Sequence, residues 1–413
     1  MRAVEVWLST TEGDDVKVGV LREILPKNYY LPTLDFTYDI EYRRSERGFA
    51  LSSDMPLVDG SIELSNDRKM FAGLADSLPD DWGHRLIKAQ HVQNCRQLGI
   101  AITSLREFDF LLNQSDAARI GALRFRNEKS KDFLQPISDS TSTIEEVINA
   151  AIRFDEDDAT SSDIQILGGL SSPLGGVRPK ITEFQAGQPP RIVKLWRDLD
   201  RGLDVEAWEA VALGMAADFG MNVPTYEHKR YSSTKSVLFL DRFDRSENGR
   251  IAYQSMKSAL GFSGDSGRIF SYQEMAEFVA FHCDDSTQQL QQLFRKAALS
   301  IAINDIDDHP RNLGFIRETH GWVLAPFFDM NPGHPDSSES SATWITRNND
   351  RSARHNFSNL IDDCKSYRLT KLAARTIVDE IIDISSTWRE RAQASGISDK
   401  SIARYEDSFI KSD

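Results

Sequence analysis

Apolar positions alternate with polar ones at the start of the chain. Val4, Val6 and Leu8 keep this period, and Val16, Val18 and Val20 keep it again after Gly13-Asp14-Asp15. Two period-two runs across a turn predict a β-hairpin. Phe36, Tyr38 and Ile40 continue the alternation, and Phe49-Ala50-Leu51 predicts a further short strand. The period then lengthens. Pro79 stands ahead of a predicted helix that has Asp80 and Asp81 in its first turn, where carboxylates suit the helix dipole. This helical pattern runs to about residue 112. Residues 127 to 143 are polar and read as a linker, Ile144 to Phe154 as a short helix, and Asp155 to Asp158 as a solvated acidic loop.

Further along, Arg191-Ile192-Val193-Lys194-Leu195-Trp196 predicts a strand with one lysine among apolar neighbours, which is costly unless the ammonium reaches an anion. A helix follows, with Val205, Trp208, Val211, Ala212 and Met215 at helical spacing. Glu209 lies on it, as a partner for Lys194 or as an ordinary exposed glutamate. Ser236 to Arg245 is an apolar strand ending in charges. Ser271-Tyr272-Gln273-Glu274 reads as a capping box. Leu290, Leu293, Phe294, Ala297, Ala298 and Ile301 mark a second amphipathic helix, and Tyr367 to about Ala392 is mostly helical, so the chain after residue 250 is mainly α.

Composition narrows the class. The 413 residues are 40% apolar and suffice for two or three domains. No apolar run approaches the roughly 20 residues of a membrane span. Glu5 stands where a secretory leader would be apolar, so the cytoplasm is the expected compartment and no membrane partner is expected. Cys95, Cys283 and Cys364 are few and far apart, which argues against a disulfide framework or a zinc site. A net charge of -14 disfavours autonomous binding to nucleic acid.

The densest chemistry is Asp305-Ile306-Asp307-Asp308-His309-Pro310-Arg311-Asn312. Asp307 and Asn312 have the D-x-x-x-x-N spacing of a protein-kinase catalytic loop, in which the aspartate is the base and the asparagine holds magnesium. Phe327-Phe328-Asp329 supplies a second carboxylate after apolar residues, as where a strand delivers a metal ligand. By themselves these residues also fit a solvated acidic turn capped by Asn312. The stretch Leu167 to Lys180 carries Gly168, Gly169, Gly175, Gly176, Ser171, Ser172, Arg178 and Lys180. It lacks the G-K-[ST] ending of a P-loop. Backbone amides and cations there suit phosphates, and a plain loop fits as well.

In combination these stretches resemble the HipA family, the kinase toxins of type II toxin–antitoxin systems. The resemblance covers nearly the whole chain. It rests on Leu78-Pro79-Asp80-Asp81-Trp82-Gly83, Gly176-Val177-Arg178-Pro179-Lys180, Asp241-Arg242-Phe243-Asp244-Arg245, Asp307-Asp308-His309-x-x-Asn312, and Leu324-Ala325-Pro326-Phe327-Phe328-Asp329, in that order. It implies an α+β, two-lobed protein-kinase-like fold with an extra N-terminal α/β subdomain and a mainly helical C-terminal lobe. The division would be an N-terminal subdomain over 1–130, a kinase N-lobe over 131–250 and a helical C-lobe over 251–413. It implies serine/threonine phosphorylation of a protein substrate with ATP and Mg2+. Asp307 would be the base, and Asn312 and Asp329 the metal ligands. Lys194, Glu209, Asp241, Phe243, Gly175, Gly176, Lys180 and His309 would form the ATP site, with Asp241 and Phe243 facing adenine. Ser172, or Ser171, would be autophosphorylated. A HipB-like helix-turn-helix antitoxin would be the partner and would carry the contact with DNA. Two departures stand out: Asp305, preceded by Asn304, replaces a frequent asparagine, and the loop reads Ser-Pro-Leu-Gly-Gly where others are shorter. Small-molecule kinases of the aminoglycoside or choline type use a similar Asp-to-Asn loop, and an inactive kinase fold acting as a binding module is a further alternative.

Overall fold

The computed structural model describes residues 2–25, 32–65, 67–136, 142–168, 170, 178–185, 187–200, 202–264, 268–319, 321–333, 343–346 and 356–409. By contacts the chain forms two compact units, Met1–Arg197 with Arg242–Ser266, and Asp198–Asp241 with Gly267–Asp413. Among the described residues no helix is long and apolar enough to cross a membrane.

The first unit is built on a five-stranded antiparallel sheet. Its spatial order is Ser61–Glu63, Thr33–Tyr38, Asp15–Ile24, Arg2–Ser9 and Leu123–Arg126. The hairpin read from the alternation is present, with Val4 opposite Leu21 and a register shift at Val6/Trp7. Val4, Val6, Val18, Leu21, Phe36 and Tyr38 point into one core with Leu74, Phe108, Leu111 and Phe125. The other face buries Glu5, which accepts hydrogen bonds from Lys17 at 2.6 Å, Arg126 at 3.0 Å and the Trp7 indole at 3.1 Å.

Several local expectations are corrected. Ile40 does not extend the third strand, because Asp39 caps a short helix, Ile40–Arg44, through its bond to the Glu41 N–H. Phe49-Ala50-Leu51 is not a strand. The Leu51 N–H donates to the Tyr38 hydroxyl and its carbonyl accepts from Gln254, so side chains take the bonds that a ladder would use. The helix after Pro79 is Asp81–Leu98 and stops well short of 112. Gly99 takes φ 64, and the next helix is Glu107–Asn113. Glycine adopts that left-handed conformation without a Cβ penalty, and the Ile100 N–H closes the turn on the Cys95 carbonyl. Asp155 is not solvated: it ends the helix Ile144–Asp155 and pairs with Arg85 at 3.1 Å and Arg197 at 2.8 Å.

The second unit holds the helix Val205–Asp218, the antiparallel strands Tyr226–Arg230 and Ser236–Asp241, and the helices Tyr272–His282, Ser286–Ala302, Phe357–Asp362, Lys371–Ser386, Trp388–Ala394 and Asp399–Arg404. Val205–Asp218 is buried almost all round. Its Trp208 stacks on Tyr405 at 4.3 Å, lies 6.0 Å from Trp388 and 5.8 Å from Phe409, and donates to Ser401 at 3.0 Å. Ser271 caps Tyr272–His282 as its sequence predicts, accepting from the Glu274 N–H.

Candidate active site

The acidic loop begins where Ser286–Ala302 ends. Asn304 turns the chain at φ 50, and the Asp305 N–H bonds back to the Ser300 carbonyl at 2.9 Å. Past this turn the carboxylates part company. Asp305 and Asp308 are buried and Asp307 is exposed, its side chain 76% accessible.

The buried pair shares one cation. Lys296, itself 1% exposed, donates to Asp308 at 2.8 Å and lies 3.7 Å from Asp305. Asp308 also accepts from the Ser300 hydroxyl at 2.5 Å and the Tyr272 hydroxyl at 2.6 Å. Burial opposes the ionisation of Asp308, but the Lys296 charge and these hydrogen bonds outweigh it and hold the carboxylate below its ordinary range. Asp305 goes the other way. Burial pushes it well up, Lys296 opposes this, and the charges of Asp308, Asp307 and Asp329 push it further. One ammonium cannot neutralise two buried carboxylates equally, so Asp308 takes most of its charge and Asp305 is left the weaker acid of the two. Lys296 keeps its proton, since Asp308 and Asp305 outweigh the burial that disfavours the charge. Tyr272 stays a donor because burial and Asp308 raise its pKa well above the ordinary value.

This platform carries the candidate chemistry. The Asn312 amide donates to the Asp307 carbonyl at 3.2 Å, and the Asn312 and His309 N–H groups bond to the carbonyls of His309 and Asp307 at 2.9 and 2.8 Å. The loop is thereby folded around Asp307 while its carboxylate remains accessible. The amide nitrogen is used in this bond, and the side-chain oxygen is the group suited to a hard cation. His309 sets Nε2 3.9 Å from Asp307 Oδ1.

Asp329 follows the strands Gly314–Arg317 and Trp322–Leu324. It is not delivered by a strand, because the chain leaves regular structure after Leu324 and Asp329 takes φ 56. The Asp329 N–H donates to Glu209 Oε1 at 3.2 Å. Glu209 is 3% exposed, so the ordinary exposed glutamate is excluded. Asp307, Asn312, Asp329, Glu209 and His309 therefore all lie in the second unit, with Asp329 held to Glu209 and Asp307 to Asn312. The side-chain oxygens of Asn312 and Asp329 are hard donors of the kind a magnesium ion takes when it keeps phosphate oxygens in its shell. Among the described residues no group of three or more His, Cys, Asp or Glu side chains suits a metal by itself.

The remaining candidates are placed as follows. Lys194 is buried on Arg191–Leu195 in the first unit. Lys180 is buried too, and its ammonium lies 3.1 Å from Asp80. Asp80 is also the cap of Asp81–Leu98, accepting from the Gly83 N–H at 2.7 Å. Asp241 ends its strand with its N–H bonded to the Thr225 carbonyl at 2.8 Å. Phe243 lies 5.8 Å from the Tyr253 ring. Ser171, Ser172, Gly175 and Gly176 fall outside the described residues.

Two groups of residues were not read from the sequence. Lys296, Ser300 and Tyr272 are one. Their available signal was a lysine and a serine at i, i+4 within an otherwise apolar stripe, just ahead of three carboxylates. The other is Arg242, Asp244 and Arg245, read as a strand end and as one stretch of the resemblance, with no role given to these three side chains. Asp244 is fully enclosed and accepts from both arginines and from the Gly121 N–H. Arg242 and Arg245 donate in turn to the Arg119 carbonyl at 2.7 and 2.8 Å. Burial would push Asp244 up, but the two guanidiniums hold it well below the carboxylate range.

Residues 11–126 match the HipA N-terminal domain, and residues 172–388 match the HipA-like C-terminal domain. The chain belongs to the HipA family. Among solved structures it resembles HipA of Shewanella oneidensis MR-1, from a complex of the toxin–antitoxin system HipA, HipB and its operator DNA. That match has a TM-score of 0.70 and 19% identity over 98% of this chain and 94% of the other, so the α+β HipA fold is established. The proinflammatory kinase CtkA of Helicobacter pylori also matches, at a TM-score of 0.32 and 15% identity over 52% of this chain and 95% of that one. No curated protein matches the chain in sequence.

Proposed function

We propose that this protein is an ATP-dependent serine/threonine protein kinase acting as the toxin of a toxin–antitoxin pair. The observation that carries the reading is the folding of the Asp307–Asn312 loop around an accessible Asp307 carboxylate in a HipA-family chain, with Asp329 fixed to Glu209 in the same unit.

In this reading Asp307 accepts the proton of the attacking hydroxyl. Its exposure leaves room for a protein substrate, and the buried Lys296–Asp308 pair fixes the loop from below. Asn312 and Asp329 hold magnesium, which supplies charge neutralisation to the transferring phosphoryl group when bound. Glu209 orients the Asp329 backbone, and Lys194 contacts the nucleotide phosphates. Ser172, or Ser171, accepts phosphate in an autophosphorylation. A HipB-like helix-turn-helix antitoxin restrains the kinase and contributes the basic surface for DNA that a chain of net charge -14 does not offer overall.

Transfer of labelled phosphate from Mg-ATP, with ATP binding followed by calorimetry, tests the reading. Asp307→Asn is expected to lower transfer by about 10² to 10⁴ while ATP binding is retained, because a general base contributes that much to rate. A variant with near-native turnover would sink the assignment. Transfer to an aminoglycoside or choline and not to protein would move the chain to the small-molecule kinases.

A further inference from the structure

Gly333 lies four residues beyond Asp329 and makes two backbone bonds. Its N–H donates to the Ile303 carbonyl at 3.0 Å, at the helix end that opens the acidic loop. Its carbonyl accepts from the Ser408 hydroxyl at 2.5 Å. The approach to the acidic loop is close enough to require glycine, since a Cβ at 333 would stand 2.5 Å from the Asn304 carbonyl oxygen and 2.8 Å from its amide nitrogen. Ser408 is 4% exposed and sits between Tyr405 and Phe409. Those two rings pack on Trp208, the neighbour of Glu209. The turn Tyr405–Phe409 therefore touches the Glu209 helix with its aromatic rings and the Asp329 loop with its hydroxyl. Through Gly333 it also reaches the base of the Asp307 loop.

We infer that Tyr405–Phe409 is a positioning clasp for phosphoryl transfer, with Ser408 as the residue that sets the Asp329 loop against the Asp307 loop. Ser408 touches neither substrate nor metal in this scheme. It fixes the Gly333 carbonyl, and so limits the excursions of the segment Asp329–Gly333, whose other end is held by Glu209. A buried neutral hydrogen bond is worth about a factor of five to ten in an equilibrium. Loss of this one shifts the loop away from its metal-holding position by that ratio. A side chain that merely stabilised the fold would lower the melting temperature without changing the magnesium requirement of the folded enzyme.

The inference rests on the kinase reading, and the experiment keeps the two apart. Full-length wild type, Ser408→Ala and Ser408→Thr are compared for kcat, for the magnesium concentration at half-maximal transfer, and for Mg-ATP affinity by calorimetry. Ser408→Ala is expected to raise the magnesium requirement about five- to ten-fold and lower kcat by a similar factor, with little change in ATP affinity measured without metal. Ser408→Thr keeps the hydroxyl and is expected to restore most of both. Unchanged kcat and magnesium requirement in Ser408→Ala would overturn the clasp, as would a Thr variant no better than Ala. If Ser408→Ala does not fold, Ser408→Cys takes its place under the same criteria. A wild type without phosphoryl transfer refutes the kinase reading instead. The calorimetric magnesium dependence then decides the clasp by the same comparison.

Discussion

Asp204 offers a test of how the Glu209 helix is held. It precedes Val205–Asp218 at φ 54 and is buried. Ser236 donates to its Oδ2 at 2.9 Å. Its pKa is pushed up to about 6, mainly by burial and further by Glu206, against the Ser236 hydroxyl, Arg230 and the Ala207 N–H. By linkage, a carboxyl whose folded pKa exceeds its unfolded one, ordinarily about 3.9, favours folding fully below pH ~4 and loses that contribution as pH rises through ~6. A shift of roughly two units at ~1.4 kcal/mol each puts the loss near 3 kcal/mol at pH 7. An asparagine in its place would stay neutral throughout. Its side-chain oxygen can accept the Ser236 bond, and it tolerates the left-handed backbone at least as well as aspartate. Asp204→Asn is therefore expected to stabilise the protein at pH 7 by about 1–3 kcal/mol, the lower end allowing for an amide group left short of acceptors. The gain should shrink toward zero near pH 4. Urea unfolding of both proteins at half-unit steps from pH 4 to 8 measures the difference curve directly. A flat difference curve, or a variant less stable at pH 7, would refute the reasoning.

Three shorter tests follow. Asp329→Ala is expected to weaken Mg-ATP binding and stop transfer, and calorimetry with and without magnesium checks it; an unchanged magnesium dependence would make Asp329 structural. Lys180→Met leaves the Asp80 carboxyl buried without its cation and should destabilise the protein by about 3–5 kcal/mol in urea unfolding, whereas lost ATP affinity with intact stability would place Lys180 at the nucleotide. Incubation with Mg-ATP should place phosphate on Ser172, or on Ser171, in wild type and not in Asp307→Asn. Mass spectrometry reads this, and an active enzyme with both serines unmodified would rule it out.

The legible parts of this chain were those whose partners lie nearby in sequence. The Val4–Val20 hairpin shows because period two survives on both strands, and the Ser271 cap shows because its acceptor geometry spans three residues. Glu209 was read as a partner for Lys194 or as an ordinary exposed glutamate, and its burial excludes only the second. What failed depended on distant residues. Phe49-Ala50-Leu51 looks like a strand until Tyr38 and Gln254 take its backbone bonds. Asp155 looks solvated until Arg85 and Arg197 close on it. Lys296 is silent because a lysine on a helix is ordinarily exposed, and only the carboxylates beyond the helix end give it an interior role. Gly99 could have ended the long helix in the sequence, but the helical pattern resuming after it masked the break.

The arginine knot around Asp244 carries a consequence for biosynthesis. Arg242 caps the Arg119 carbonyl across 123 positions of chain, and Asp244 takes the Gly121 N–H across the same span. A ribosome adding about 5–20 residues per second spends roughly 6–25 s between these partners. Throughout that interval the strands of the sheet have been made without the groups that tie off its last approach, and the stretch Asp198–Asp241, which belongs to the other unit, is made before the knot can close. The strands Arg2–Ser9 and Asp15–Ile24 are thus the earliest part of this unit to be made, and the side chains that tie off Arg119 and Gly121 are among its last.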